Sequence, residues 1–256
     1  MAAIDRINSQ VAGAVGVAVA VAVGVLLAFL AMSSSADVAR PVTSYYVALG
    51  DSISAGDYAD SPLTSFVGLI YDHERARYPG LELVNFACGG ATTEQMIHGS
   101  AACDYNVTSQ LGHATDFLRS HRGRVLFVTM DIGINDLVAG ESSHLFLNTL
   151  HILRVLEHAD PGVRVVGMNY YDPFVGNPTS TPTWGSPRAF AALNRAVAAA
   201  YRYKGDSLVN VAAAIGTNPA RVCALTYECA APPLQNIHPN DAGYSVLAKA
   251  FEGMLP

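Results

Sequence analysis

Residues 45–56 read YYVALGDSISAG. An apolar and aromatic run, Tyr45 to Leu49, ends on Gly50-Asp51-Ser52, a turn sequence carrying a hydroxyl. A run without polar alternation suits a strand buried on both faces, as in a parallel sheet. A serine directly after a strand is commonly a turn former and only sometimes a nucleophile. The remainder of the chain decides between the two.

Four more runs of the same kind follow, at 81–85 (LELVN), 125–130 (VLFVTM), 163–168 (VRVVGM) and 208–211 (LVNV). Helix-period segments separate them at 65–77, 109–121, 142–158 and 187–203, with a last one at 241–254. Strands alternating with helices imply an α/β fold with right-handed crossovers. The expectation is a single three-layer α/β/α domain over residues 37–256, built on a five-stranded parallel sheet of flavodoxin-like type. No internal repeat and no low-complexity linker interrupts it past residue 44.

Composition narrows the function classes. Apolar residues make up 51% of the 256 and charged residues 14%, enough for a sizeable core and too apolar for a disordered chain. A net charge of −6 gives no basic footprint, so no nucleic acid partner is expected. Residues 11–32, VAGAVGVAVAVAVGVLLAFLAM, contain no charge. As a helix at ~1.5 Å per residue this run is long enough to cross a bilayer core. The small residues Ser34-Ser35-Ala36 that follow offer a cleavage site, so segment 1–36 reads equally as a signal peptide or a membrane anchor. Either places the rest of the chain outside the cytoplasm, secreted or membrane-anchored.

Cysteine usage agrees with export. Cys88, Cys103, Cys223 and Cys229 form an even set, which allows three pairings, and the local pairs 88–103 and 223–229 are favoured. No Cys-x-x-Cys spacing supports zinc. Asn106-Val107-Thr108 has the form of a glycosylation acceptor, a frequent triplet.

In sheets of this type the working site lies beyond the carboxyl ends of the strands. Ser52 follows the first strand, NFACGGATT the second, DIGIND the third and NYYDPF the fourth, while QNIHPND precedes the last helix. Acyl transfer needs a nucleophile, a base and donors for the oxyanion. Ser52 is the candidate nucleophile and His238 the candidate base. The Asn135 amide and a main-chain N–H at Gly89-Gly90 are candidate donors.

On these blocks the chain resembles the SGNH (GDSL-type) hydrolases, and is similar to the secreted actinobacterial esterases and lipases among them. The blocks are Gly50-Asp51-Ser52-Ile53, Asn85 to Thr92 with its aligned glycine at Gly90, Gly133-Ile134-Asn135-Asp136, and Ile237-His238-Pro239. Singly they are weak; four in order over residues 45–254 are specific. The resemblance implies an ester hydrolase in which Ser52 is nucleophile, His238 base, and Ser52 N–H, Gly90 N–H and Asn135 form the oxyanion hole. No cofactor or metal is expected, the substrate is an ester, small or lipid, the chain is expected to be a monomer, and residues 11–32 offer it a route to a membrane.

One position departs from the pattern. The family usually places an aspartate three residues before the histidine; here Gln235 stands there, followed by Asn236, and no carboxylate occurs between 229 and 240. Gln235 is thus a candidate orienter of His238. A main-chain carbonyl between Pro232 and Asn236 is the favoured one, because it cannot present a donor by mistake.

Other suggestive residues receive plainer readings. Histidines 144, 151 and 158 recur every seven residues, a step of about 10 Å along a helix, too long for shared ligation. A solvated helix face is expected for them and for DHERAR at 72–77. Phe174 and Trp184 lie in the Pro-, Gly- and aromatic-rich stretch 169–187, where they line either a substrate pocket or a packed loop. Against the esterase reading stand a carbohydrate O-acetyl esterase, a thioesterase, a non-catalytic membrane-tethered binding protein on the same fold and, more distantly, a nucleotide-binding flavodoxin-like protein.

Overall fold

The computed structural model describes residues 43–103 and 108–256. The apolar segment 11–32 and the residues Asn106 and Val107 lie outside the described residues. Five strands form one parallel sheet: β1 (Ser44–Gly50), β2 (Leu81–Asn85), β3 (Val125–Asp131), β4 (Val165–Met168) and β5 (Ser207–Val209), in the order β2-β1-β3-β4-β5. The chain reverses direction across the sheet between β1 and β3, which opens a crevice at their carboxyl ends.

Burial explains the strand sequences. Tyr46, Val47, Ala48 and Leu49 of β1 and Phe127 and Val128 of β3 are fully buried, because helices cover both faces of these central strands. The edge strand β2 is half-exposed, and its polar Glu82 faces water. β4 starts two residues later than its apolar run, and β5 ends at Val209 because Asn210 leaves the sheet to cap the next helix through Ala213 N–H.

Ten α-helices occur among the described residues: α1 (Ser52–Ala55), α2 (Phe66–Arg77), α3 (Thr93–His98), α4 (Gln110–Ser120), α5 (Ile134–Ala139), α6 (Leu145–Ala159), α7 (Pro187–Lys204), α8 (Val211–Ile215), α9 (Pro219–Leu225) and α10 (Asp241–Glu252). α2, α8 and α10 pack together, and α3, α4, α6 and α7 pack together, giving the two helical layers about the sheet. The five long helices fall on the periodic segments. The five short ones have two turns or fewer, too little for a hydrophobic period to register. Caps define several of them instead: Thr92 and Gln95 form a reciprocal capping box at α3, and Asn218 caps α9 ahead of Pro219.

The cysteines pair as Cys88–Cys103 and Cys223–Cys229. Histidines 144, 151 and 158 are exposed, as a solvated face requires. The DHERAR stretch departs from that reading at one residue. Glu74 is fully buried and takes Arg77 Nη1 at 3.2 Å, so the helix turns one carboxylate inward with its own counter-ion.

Candidate active site

Ser52 opens α1 directly at the end of β1. Gly50 makes this turn with φ +140°, and a Cβ there would overlap Asp131 Oδ1 on the neighbouring strand, so only glycine fits. Asp51 then caps the helix, accepting Ile53 N–H at 3.0 Å. As the first residue of the helix, Ser52 has a main-chain N–H with no intrahelical acceptor.

His238 arrives from the segment before α10, whose N-cap is Asn240. Its Nε2 lies 2.8 Å from Ser52 Oγ. On the far side of the ring, Nδ1 lies 3.0 Å from Asn236 Oδ1. That oxygen also accepts the main-chain N–H of His238 at 2.9 Å, while Asn236 Nδ2 donates to Leu234 O at 2.7 Å. These two bonds fix which end of the amide faces the ring. An oxygen there requires Nδ1 to carry the proton, which leaves Nε2 as the acceptor for the Ser52 hydroxyl. Burial lowers the His238 pKa to about 4, so the ring is neutral at ordinary pH.

The orienter is therefore neither of the two expected from sequence. Gln235 turns away and donates to the buried Glu228 at 3.4 Å, and no main-chain carbonyl among the described residues holds Nδ1. Asn236 does so because an Asn two residues before the histidine forms an Asx turn, its side-chain oxygen reaching the N–H two positions on. The sequence Asn-x-His carried that signal.

Asn135 lies in the first turn of α5, after β3, and Gly90 in the turn after β2 that Ala91 N–H closes on Cys88 O at 3.2 Å. Gly90 has φ +79° with open space where a Cβ would stand; glycine serves the backbone there, not the packing. The two blocks are tied together twice. Asn135 Nδ2 donates to Ala91 O at 3.0 Å, and Asp136 accepts from Thr93 N at 2.9 Å and from Thr93 Oγ1. One N–H of the Asn135 amide is spent on Ala91, leaving the other for a ligand.

Beneath the turn lie two fully buried carboxyls, Asp51 and Asp131. Asp51 takes Ile53 N–H and Tyr170 Oη, the latter at 3.0 Å. Asp131 takes Ser54 Oγ on Oδ1, and its Oδ2 is buried without a donor among the described residues. Burial raises both carboxyls, and the Asp51 charge adds to the rise at Asp131. Asp51 takes two donors and Asp131 one, so the charge of the pair rests on Asp51 and the proton on Asp131.

A cavity of about 60 Å³ opens beside Ser52 and His238, with Asn135 on its wall and Ile134, Tyr170, Tyr171 and Phe190 giving it apolar sides. Gly90 is not among its lining residues. Nor are Phe174 and Trp184, which stand one layer back. Phe174 packs on Trp184 with ring centroids 5.4 Å apart and on Phe190 at 6.2 Å, so the loop aromatics brace the wall instead of forming it. Among the described residues no His, Cys, Asp and Glu group is arranged to hold a metal ion.

Comparison with known proteins shows a family and a fold. The GDSL-like lipase/acylhydrolase family matches residues 48–246. No curated protein sequence matches the chain. Among solved structures, a psychrotrophic esterase from Pseudoalteromonas sp. is similar with a TM-score of 0.56 at 18% identity, over 82% of this chain and 95% of that one. An extracellular lipase from Streptomyces rimosus gives 0.55 at 17%, over 82% and 99%. A two-domain esterase active on acetylated mannans gives 0.55 at 15%, over 82% of this chain and 48% of that one. At such identities these structures show a shared fold.

Proposed function

Because the chain belongs to the GDSL-like lipase/acylhydrolase family of carboxylic ester hydrolases, we propose that it hydrolyses esters through an acyl-enzyme on Ser52. The observation that carries this reading is the 2.8 Å contact from Ser52 Oγ to His238 Nε2, with the tautomer set by Asn236. Ser52 Oγ attacks the ester carbonyl carbon while its proton passes to Nε2. The oxyanion meets Ser52 N–H and the free N–H of Asn135, which line the cavity, with Gly90 N–H as the third donor that the family resemblance implies. Collapse of the intermediate breaks the bond to the alcohol oxygen, which leaves with the proton from Nε2. A water then gives its proton to Nε2, attacks the acyl carbon, and releases the acid as Oγ recovers its proton.

The cavity is small, about 60 Å³, and apolar-sided, which favours short acyl chains over long ones. The mannan-active neighbour makes a carbohydrate O-acetyl ester a second reading of the same site. Two disulfides favour an oxidising compartment, so we place the enzyme outside the cytoplasm, secreted or held by residues 11–32.

Labelling with a fluorophosphonate probe tests the assignment. The wild-type protein should label at Ser52 and hydrolyse p-nitrophenyl acetate, and Ser52→Ala should do neither. Hydrolysis by Ser52→Ala at the wild-type rate would refute the nucleophile. An unlabelled, inactive wild-type protein would favour a binding module on this fold.

A further inference from the structure

Tyr58 is the one non-glycine residue with positive φ among the described residues, at +66°. It occupies the third position of the turn that Ala59 N–H closes on Gly56 O at 3.1 Å, where positive φ favours glycine. The turn is pinned on both sides, by Asp57 N–H to Ser52 O at 2.9 Å and by Tyr244 Oη to Asp57 O at 2.7 Å. A bulky side chain in a strained conformation, on a turn hung from Ser52 itself, calls for a reason in the site. Its ring supplies one. Although 51% exposed, Tyr58 lies over the His238 imidazole with centroids 4.6 Å apart and planes 31° from parallel. Tyr227, whose N–H is bonded to His238 O at 3.0 Å, stands 6.2 Å beyond it.

Reading Ser52 and His238 as nucleophile and base, we propose that Tyr58 is a positioning residue that roofs the imidazole. It excludes water from that face and so widens the pH range over which the ring stays neutral. The ionisable groups on the surrounding elements do not take over this task. Asp51 is bonded to Ile53 N–H and Tyr170, Glu228 to Ser180 and Gln235, and Asp241 to Asp60 N–H and Thr64. Tyr171 donates to Ile237 O, Asp57 lies against Gly89, and Tyr227 reaches His238 through its main chain. None forms an ion pair with His238, so burial alone sets its protonation.

The test compares kcat/KM against pH for the wild-type enzyme, Tyr58→Phe and Tyr58→Gly on a short-chain ester. Tyr58→Gly removes the ring and relieves the positive φ, so it does not fail for backbone reasons. Once the imidazole is wetted, the acid limb should move from about 4 toward the ordinary histidine value of about 6.5. Activity at pH 5 should then fall about tenfold, with little change at pH 8. Tyr58→Phe should keep the wild-type limb, because the roof is the ring and not the hydroxyl. Superimposable limbs for Tyr58→Gly and wild type, or an equal loss at every pH, would overturn the proposal. An inactive wild-type enzyme that takes no fluorophosphonate would instead remove the underlying assignment of Ser52 and His238, and this proposal with it.

Discussion

His238 Nδ1 and the main-chain N–H of the same residue converge on a single atom, Asn236 Oδ1, at 3.0 and 2.9 Å. An amide in the place of a carboxylate carries the risk that its NH₂ end turns inward and enforces the wrong tautomer. Here the main-chain N–H admits only the oxygen. In the proposed mechanism this keeps the orienting role of a triad without its negative charge, and the imidazolium would have no counter-ion beside it among the described residues.

Asn236→Ala should therefore lower kcat roughly 10–100-fold with KM little changed, a loss of about 1.4–2.7 kcal/mol in transition-state stabilisation. Asn236→Asp retains the acceptor and adds a charge that favours imidazolium, so its acid limb should lie above about 4. Gln235→Ala, whose side chain serves Glu228, should stay within about tenfold of wild type. Steady-state kinetics on the three variants decide this; a severe loss in Gln235→Ala alone would return the role to the glutamine.

Asn135 offers its second N–H to charge that develops only in the transition state. Asn135→Ala should lower kcat by roughly 10²–10³ while KM moves little. Its other N–H holds Ala91 O, so a fall in melting temperature should accompany the kinetic effect. A change confined to KM would make Asn135 a ground-state binding residue.

Phe190 closes the apolar side of the cavity and is braced by Phe174 and Trp184. Phe190→Ala should raise the ratio of kcat/KM for p-nitrophenyl octanoate over acetate about tenfold or more, since each accommodated methylene is worth about 1–3 kcal/mol. The same change should cost about 3–5 kcal/mol of stability, so the ratio and not the absolute rate is the measurement. An unchanged ratio would place the acyl chain elsewhere.

The Asp51–Asp131 pair makes stability depend on pH. Asp131 has its pKa raised by burial, so the folded state retains a proton that the unfolded chain has lost. That stabilisation is fully present below the unfolded carboxylate pKa and is lost as pH rises toward the folded one. Asp131→Asn carries its hydrogens permanently. Across that window its stability relative to wild type should grow by about 1.4 kcal/mol per pH unit, read from urea melts between pH 4 and 7. Parallel stability curves for the two proteins would show that Asp131 folds ionised.

Much of this molecule is legible in the chain because its signals are local. The run Tyr45 to Leu49 is apolar throughout since it is buried from both sides, and Gly50 is glycine since Asp131 leaves no room for a Cβ. The period of α6 or α7 is written over four or five turns. α1, α3 and α5 are too short to show one, yet they deliver Ser52 and Asn135 and order the loop beside Gly90.

The sequence by itself determined the strands, the long helices and the strand-end blocks that hold the candidate site residues, because backbone periodicity and side-chain type act over neighbouring positions. Only the tertiary structure decided which acceptor faces His238, which ring walls the cavity and which aromatic covers the base. Asn236 and Gln235 are adjacent in the chain and chemically alike. What separates them is that Glu228, folded in from across a cis-proline loop, takes the glutamine, while the main-chain N–H of His238 takes the asparagine. Phe190 likewise reaches the cavity from a helix more than a hundred residues past Ser52, a distance over which only the packing of α7 on the sheet can select a wall.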